Sequence, residues 1–104
     1  GRASLVAGTH THVPTADHQI LRNGTAYMSA AGMCGDYDSV IGMAKEEPIQ
    51  RFTRKLPVER MRPAEGEATV SGVAVETDDA TGLAVKIAPV RIGGRLSEAR
   101  IDFW

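Results

Sequence analysis

Cysteine is scarce in this sequence, and long apolar runs and an excess of either charge are absent. Cys34 is the only cysteine, so no disulfide can form within the chain and nothing favours an oxidising compartment. No apolar run approaches the ~20 residues that cross a bilayer. We therefore expect no membrane anchor and a cytoplasmic location.

The charges nearly cancel, with twelve basic and thirteen acidic residues giving a formal net charge of -1. No strong overall field therefore favours DNA or an anionic membrane as a partner. Apolar residues make up 42% of the 104 residues and charged residues 24%, as in an ordinary soluble globular protein. A chain of this length is expected to form one domain with a modest core.

The chain starts without a methionine and runs directly into an apolar segment. Residues 4–7 are predicted to form a buried strand, and Gly8 begins the loop that follows. A strand this close to the start needs neighbours with which to pair. We therefore expect the chain to begin inside a fold, with pairing partners in sequence upstream of Gly1.

A first hairpin is predicted around Asn23-Gly24, which separates residues 19–21 from residues 25–28. Asn-Gly between apolar segments is the strongest short-range hairpin signal because both residues tolerate positive φ. The glycine-rich stretch over residues 31–39 is expected to be a loop with unusual backbone angles.

A second hairpin is predicted from residues 69–77 and 83–90, with a loop over residues 78–82. Gly72 interrupts the first of these strands and predicts a bulge there. Apolar side chains alternate along the second strand, which predicts one buried face. The alternating residues are Leu83, Val85 and Ile87.

Residues 45–55 have a helical pattern, with acidic residues early, basic residues late, and Pro57 beyond the end. Residues 97–104 form a polar tail that ends in aromatic residues, which could dock against a partner or be disordered. By pattern alone the chain is α+β, with hairpins dominating and one clear helix.

His10 and His12 follow the first predicted strand, two residues apart. In an extended or loop backbone this spacing places both imidazoles on one side, where each can offer a nitrogen to a metal. Two histidines cannot complete a site that normally needs four or more ligands. From spacing alone, ordinary loop histidines with hydrogen-bonding roles remain an alternative.

Other polar residues favour structural interpretations. His18 is expected to be a surface histidine, and turn or cap roles explain Asp36 and Asp38 better than a paired-carboxylate site does. Cys34 is expected to be a buried thiol rather than a nucleophile, because no histidine forms a recognisable local pair with it.

The segment Gly8-Thr9-His10-Thr11-His12-Val13 is similar to the last metal-binding motif of calcineurin-like metallophosphoesterases. Further segments follow the YmdB-like branch of that family in order along the chain. They are residues 8–17, 23–27, 32–35, 38–42, 45–47 and parts of 72–82. The chain thus resembles this branch as far as about Leu96.

The resemblance implies that residues 1–96 are the C-terminal part of a metallophosphoesterase domain and that residues 97–104 are a tail. The implied fold is an α/β sandwich of two sheets. The implied activity is hydrolysis of cyclic nucleotides such as 2′,3′-cyclic AMP, with two iron or manganese ions. His10 would bind one metal and His12 the other. The residues implied to border the substrate are Gly32, Gly35 and Asp38.

The family's other ligands all precede this motif, and their motifs are not found in this sequence. The chain alone is therefore expected to be inactive, needing the upstream portion of the same protein to hold two divalent or mixed-valence ions. Exposed apolar edges are expected to favour a homo-oligomer. Two alternatives remain: a non-catalytic oligomerisation or interaction module, and a one-metal hydrolase that uses both histidines with Asp17 or Asp36.

Overall fold

Within residues 1–45 and 62–103, which the computed structural model describes, six strands form two three-stranded sheets. The first sheet has the order β1-β3-β2 and the second has the order β4-β5-β6. The strands are β1 (Leu5–Ala7), β2 (Gln19–Ile20), β3 (Ala26–Met28), β4 (Gly35–Asp36), β5 (Ala68–Thr77) and β6 (Ala84–Ile92). The described chain is therefore rich in sheet.

The first predicted hairpin is confirmed. β2 pairs antiparallel with β3, with Ile20 opposite Ala26. The turn is closed by the Leu21 amide, which donates to the Thr25 carbonyl at 2.8 Å. Gly24 has a φ of +88°, which is the left-handed conformation that the Asn-Gly signal anticipates.

The first predicted strand is also confirmed, but its predicted burial is wrong. β1 pairs in parallel with β3, with Leu5 opposite Ala26. Leu5 and Val6 are nevertheless 40% and 50% exposed. Within the described residues β1 is an edge strand whose only sheet neighbour is β3, so much of its apolar surface stays open to solvent.

The long second hairpin is confirmed, and the bulge lies elsewhere than predicted. β5 and β6 pair antiparallel, and Gly72 lies in regular register opposite Val90. The register shifts between Glu76 and Thr77 instead. A glycine within a strand permits a bulge but does not require one, so the Gly72 prediction was wrong.

The buried residues of β6 are not those that the alternation predicted. Ala84 and Ala88 are each 5% exposed, whereas Val85 is 51% exposed. A period of two separates the faces of a strand without saying which face is covered. The Ala84 amide donates to the Gly24 carbonyl at 2.7 Å, so the first hairpin lies directly against the start of β6.

The buried core is made largely of small side chains. The buried apolar residues are Ala26, Met28, Ala30, Ala74, Ala84 and Ala88. β2 and β3 contact β6, which joins the two sheets. Small residues allow such close backbone approach, but each buries little apolar area.

Two further predictions concern the middle and the end of the chain. A helix is predicted over residues 45–55. Apart from Lys45, these residues lie outside the part of the chain that the structure describes. No helix in the described part is long and apolar enough to cross a membrane.

In the predicted tail, Ala99 exchanges backbone hydrogen bonds with Arg91, and the Phe103 ring lies 5.6 Å from the Lys86 ammonium. Residues of this tail therefore fold back against β6.

Candidate metal-binding site

The loop that carries His10 and His12 leaves β1 at a point of close backbone contact. Gly8 donates its amide to the Met28 carbonyl at 3.2 Å, and its own carbonyl accepts from the Ala31 amide at 2.9 Å. A Cβ at Gly8 would lie 2.3 Å from the Ser29 carbonyl oxygen. Only glycine therefore fits here, and the start of the histidine loop is fixed against the end of β3.

His10 is exposed, whereas His12 is half-buried and held by two contacts. The His12 amide donates to the Thr9 carbonyl at 3.4 Å, which closes the turn through His10. Nδ1 of the His12 ring lies 3.0 Å from the Ile41 carbonyl oxygen. His12 has a φ of 63°, a left-handed conformation that is uncommon outside glycine. The backbone thus holds His12 in a specific orientation.

Ile41 belongs to a tight turn that is itself braced. Val40 and Met43 exchange backbone hydrogen bonds of 3.0 and 2.9 Å around it. The Ser39 hydroxyl accepts from the Gly42 amide at 2.9 Å and donates to the Asp36 carbonyl at 2.6 Å. Ile41 has a φ of 47° in this turn, which is strained for a β-branched residue.

Replacing Ile41 by asparagine is expected to stabilise the chain by about 1 kcal/mol, because asparagine tolerates left-handed backbone angles far better than isoleucine. The Ile41 side chain is 55% exposed, so the replacement removes little buried area. Urea denaturation of the parent and the variant measures the difference. Ile92→Asn is the matched control: Ile92 is 38% exposed but lies in β6, so this change should destabilise instead.

Asp17 is engaged in a compact hydrogen-bond network rather than left open as a ligand. Its carboxylate accepts from the Thr15 hydroxyl at 2.6 Å and from both the amide, at 3.1 Å, and the hydroxyl of Ser29. The Ser29 hydroxyl, followed by the Thr15 hydroxyl, lowers the pKa of Asp17 from its ordinary 3.8 to about 2. Asp17 therefore ties the end of the histidine loop to the end of β3.

This network predicts a specific dependence of stability on pH. Since the folded pKa of Asp17 lies below its unfolded value, the stabilisation is fully present above about pH 4 and is lost as the pH falls through about 2. Asp17→Asn should therefore lower stability at neutral pH and flatten the decline between about pH 4 and pH 2. Urea denaturation at a series of pH values measures both effects. Asp79→Asn in the exposed β5–β6 turn should leave the profile unchanged.

Asp36 has the turn role that its sequence context predicted. Its carboxylate accepts from the Asp38 amide at 2.8 Å and from the Gly66 amide at 2.9 Å. With both oxygens occupied in this way, Asp36 holds the turn against the segment before β5. The one-metal hydrolase interpretation needs Asp17 or Asp36 as a ligand, and both carboxylates already accept hydrogen bonds that hold the local backbone.

The three residues implied to border the substrate lie in different surroundings. A Cβ at Gly32, whose φ is +95°, would lie 3.0 Å from Cδ of Pro14 in the histidine loop. Gly35 pairs with Thr69 at the edge of the second sheet. Asp38 is paired with Lys45 at 2.8 Å and Arg95 at 3.6 Å, which together lower the pKa of Asp38. Of these three residues, Gly32 is therefore the one that lies next to the histidine loop.

Asp38 also borders a cavity of about 320 Å³. Its lining combines polar and apolar residues and carries both signs of charge. The lining residues are Asp36, Asp38, Ala44, Lys45, Arg62, Pro63, Ala64 and Glu65. Neither candidate metal-binding histidine is among them.

The predicted burial of Cys34 is wrong. The residue is exposed, and its thiol donates to the Ser71 carbonyl at 3.3 Å. Its place in the glycine-rich loop beside β4, rather than within a strand, explains why it remains accessible. His18 is exposed, as predicted.

His10 and His12 fit a metal site as contributors rather than as a complete set of ligands. No group of three or more His, Cys, Asp or Glu side chains that could hold a metal occurs among the described residues. Nδ1 of His12 is committed to a carbonyl, which leaves Nε2 for a metal. The sequence motif located the histidines, but it gave no sign of the Ile41 carbonyl.

Comparison with known proteins gives consistent matches over most of the chain. The profile of the YmdB-like protein family matches residues 1–90. The 2′,3′-cyclic-nucleotide 2′-phosphodiesterase of Bacillus subtilis strain 168 is 54% identical over 92 residues, which cover 88% of this chain and 34% of that protein.

Two solved structures also resemble the chain. A novel phosphatase from Mycoplasma pneumoniae matches with a TM-score of 0.80 and 37% identity, covering 86% of this chain and 32% of that one. A hypothetical protein from Thermus thermophilus matches with a TM-score of 0.74 and 40% identity, covering 90% of this chain and 36% of that one. The chain thus spans about a third of the length of the proteins that it matches.

Proposed function

The chain belongs to the YmdB-like protein family, and from this premise we propose that it forms part of a dinuclear-metal phosphodiesterase that hydrolyses cyclic nucleotides such as 2′,3′-cyclic AMP. The observation that carries the proposal is the 54% identity to the B. subtilis phosphodiesterase over 92 residues, together with the family match over residues 1–90, which include the histidine loop. The phosphatase from M. pneumoniae supports the broader class of phosphoester hydrolysis. Because this chain spans about a third of such proteins, it is proposed to act only together with the remaining portion.

In this proposal His10 binds one metal ion and His12 the other. Imidazole nitrogen suits iron and manganese, whereas magnesium prefers oxygen ligands. Two bound ions would supply Lewis-acid stabilisation of phosphate charge and a water of lowered pKa. The upstream portion of the protein would contribute the other ligands.

The chain's own residues have positioning roles in this scheme. Gly8 fixes the start of the histidine loop through its close contact with Ser29. Asp17 ties the other end of the loop to β3 through Thr15 and Ser29. Gly32, Gly35 and Asp38 are proposed to border the substrate, with support for Gly32 from its approach to Pro14.

A chimaera tests the proposal directly. The matched stretch of the B. subtilis phosphodiesterase is replaced by the corresponding residues of this chain, and the product is assayed for metal content and for hydrolysis of 2′,3′-cyclic AMP. Two iron or manganese ions per chain together with hydrolysis support the proposal. A folded chimaera that binds no metal and does not hydrolyse the substrate would overturn it.

A second candidate function is an interaction module without catalysis. Leu5 and Val6 are 40% and 50% exposed on β1, which is an edge strand within the described residues, and this favours association with another chain or with a second copy. This interpretation predicts a homo-oligomer that binds no metal. Elemental analysis of the chimaera separates the two functions, because the phosphodiesterase function predicts two bound ions once the upstream portion is supplied and the interaction module predicts none.

A further inference from the structure

The hydrogen bond from His12 to Ile41 determines which ring nitrogen of His12 carries the proton. A carbonyl oxygen can only accept, so Nδ1 at 3.0 Å from the Ile41 carbonyl must be the protonated donor. Neutral imidazole carries one N–H, which leaves the free lone pair on Nε2. The contact therefore selects one tautomer of His12.

The acceptor is held in place by backbone features on both sides. Ile41 and His12 both have left-handed backbone angles, with φ values of 47° and 63°. Gly42 follows with a φ of +92°, and the Val40–Met43 hydrogen bonds close the turn around them. Strained non-glycine residues persist where the surrounding structure over-determines them, and such residues cluster at functional sites.

We propose that the backbone carbonyl of Ile41 is a positioning group that fixes the His12 ring with Nδ1 protonated, so that Nε2 is the nitrogen presented to a metal ion. The binding of a metal ion by Nε2 rests on the proposed function, whereas the tautomer of His12 does not. A histidine ligand typically donates its other N–H to a carbonyl or carboxylate, and this contact fixes its orientation and raises its basicity. The segment 39–43 thereby becomes part of the metal site without contributing a ligand.

The tautomer can be measured in the 104-residue chain without any metal. Long-range ¹H–¹⁵N correlation spectra of ¹⁵N-histidine-labelled protein at about pH 8, where neutral imidazoles dominate, distinguish the protonated from the unprotonated ring nitrogen. We expect His12 to be the Nδ1–H tautomer. A predominant Nε2–H form at His12 would overturn the proposal.

A pair of glycine variants tests whether the turn is the cause. Gly42→Ala places a Cβ at φ +92°, with Sδ of the flexible Met33 side chain as its nearest neighbour at 3.1 Å, so its main effect is on the backbone of the turn. Gly82→Ala imposes a similar conflict at φ +71° in the β5–β6 turn, where the nearest atom is the Ser4 hydroxyl at 4.0 Å. We expect Gly42→Ala to shift His12 towards the Nε2–H form and Gly82→Ala to leave it unchanged. An unchanged tautomer in a folded Gly42→Ala variant would contradict the assignment.

Titration with Mn²⁺ connects the tautomer to metal binding. Paramagnetic broadening of the His12 ring should require about 10- to 100-fold more Mn²⁺ in Gly42→Ala than in the parent chain or in Gly82→Ala. Equal Mn²⁺ dependence in a Gly42→Ala chain whose tautomer has changed would overturn the positioning role. If neither His10 nor His12 broadens more than His18 in the parent, the positioning of His12 towards a metal is overturned. The tautomer stands on its own measurement, and the proposed function, which needs the upstream ligands, is tested in the chimaera.

Discussion

Replacing Gly8 by alanine is expected to destabilise the chain by about 3 kcal/mol, the largest loss of stability among the substitutions considered. A Cβ at this position would lie 2.3 Å from the Ser29 carbonyl oxygen, a backbone atom that no side-chain rotation can move away. Relief requires β1 and β3 to separate at their ends. That movement would break the hydrogen bonds of Gly8 with Met28 and Ala31. Chemical denaturation of the two proteins measures the loss.

Gly72→Ala is the matched control for Gly8→Ala. Gly72 lies within β5, and a Cβ there would meet no atom within 4 Å. Alanine has less conformational freedom to lose than glycine, so this variant should be as stable as the parent or more stable by about 0.5–1 kcal/mol. Equal stability of the two variants would show that β1 does not approach Ser29 as closely as the structure indicates.

Local turn chemistry made the hairpins predictable from sequence. Asn23-Gly24 specifies a turn whose glycine has a φ of +88°, and the strands on either side pair as expected. The same holds for the β5–β6 hairpin, where the Gly82 amide bonds to the Asp78 carbonyl at 2.7 Å. Both signals act over a few residues, so a single sequence contains the necessary information.

Burial could not be predicted in the same way, because it depends on what lies opposite a residue. The apolar segment 4–7 has the composition of a buried strand, yet Leu5 and Val6 are largely exposed among the described residues. In β6 the alternating apolar pattern indicated Val85, whereas the covered positions are Ala84 and Ala88. Periodicity defines two faces, and only the tertiary arrangement decides between them.

In the candidate site, too, one part could be predicted from local sequence and another depends on the tertiary structure. The histidine motif is contiguous in sequence, so His10 and His12 could be identified by their spacing and by resemblance to a known family. The Ile41 carbonyl is a backbone group 29 residues away from His12, and every residue has such a group. Only the left-handed turn brings it to the imidazole, and isoleucine gives no sequence signal for that conformation.

Replacing His10 or His12 by alanine is expected to have the largest effect on function. If the proposed function holds, each substitution in the phosphodiesterase chimaera would remove a direct ligand from one ion and should weaken metal binding by more than the ~100-fold typical when an outer contact is lost. Loss of an ion removes several kcal/mol of transition-state stabilisation, so hydrolysis of 2′,3′-cyclic AMP should fall on the order of 10³-fold. Elemental analysis and steady-state rates measure the two effects.

The matched control for these variants is His18→Ala in the same chimaera, since His18 is an exposed histidine that follows the same loop. It should keep both the metal content and the rate of the parent chimaera. Far-UV circular dichroism separates loss of a ligand from loss of the fold, because neither His10 nor His12 belongs to the buried core. A folded His10→Ala or His12→Ala chimaera that retains two ions and the parent rate would exclude that histidine as a ligand. Loss of metal in all three variants would instead mean that the loop as a whole, rather than the paired histidines, governs occupancy.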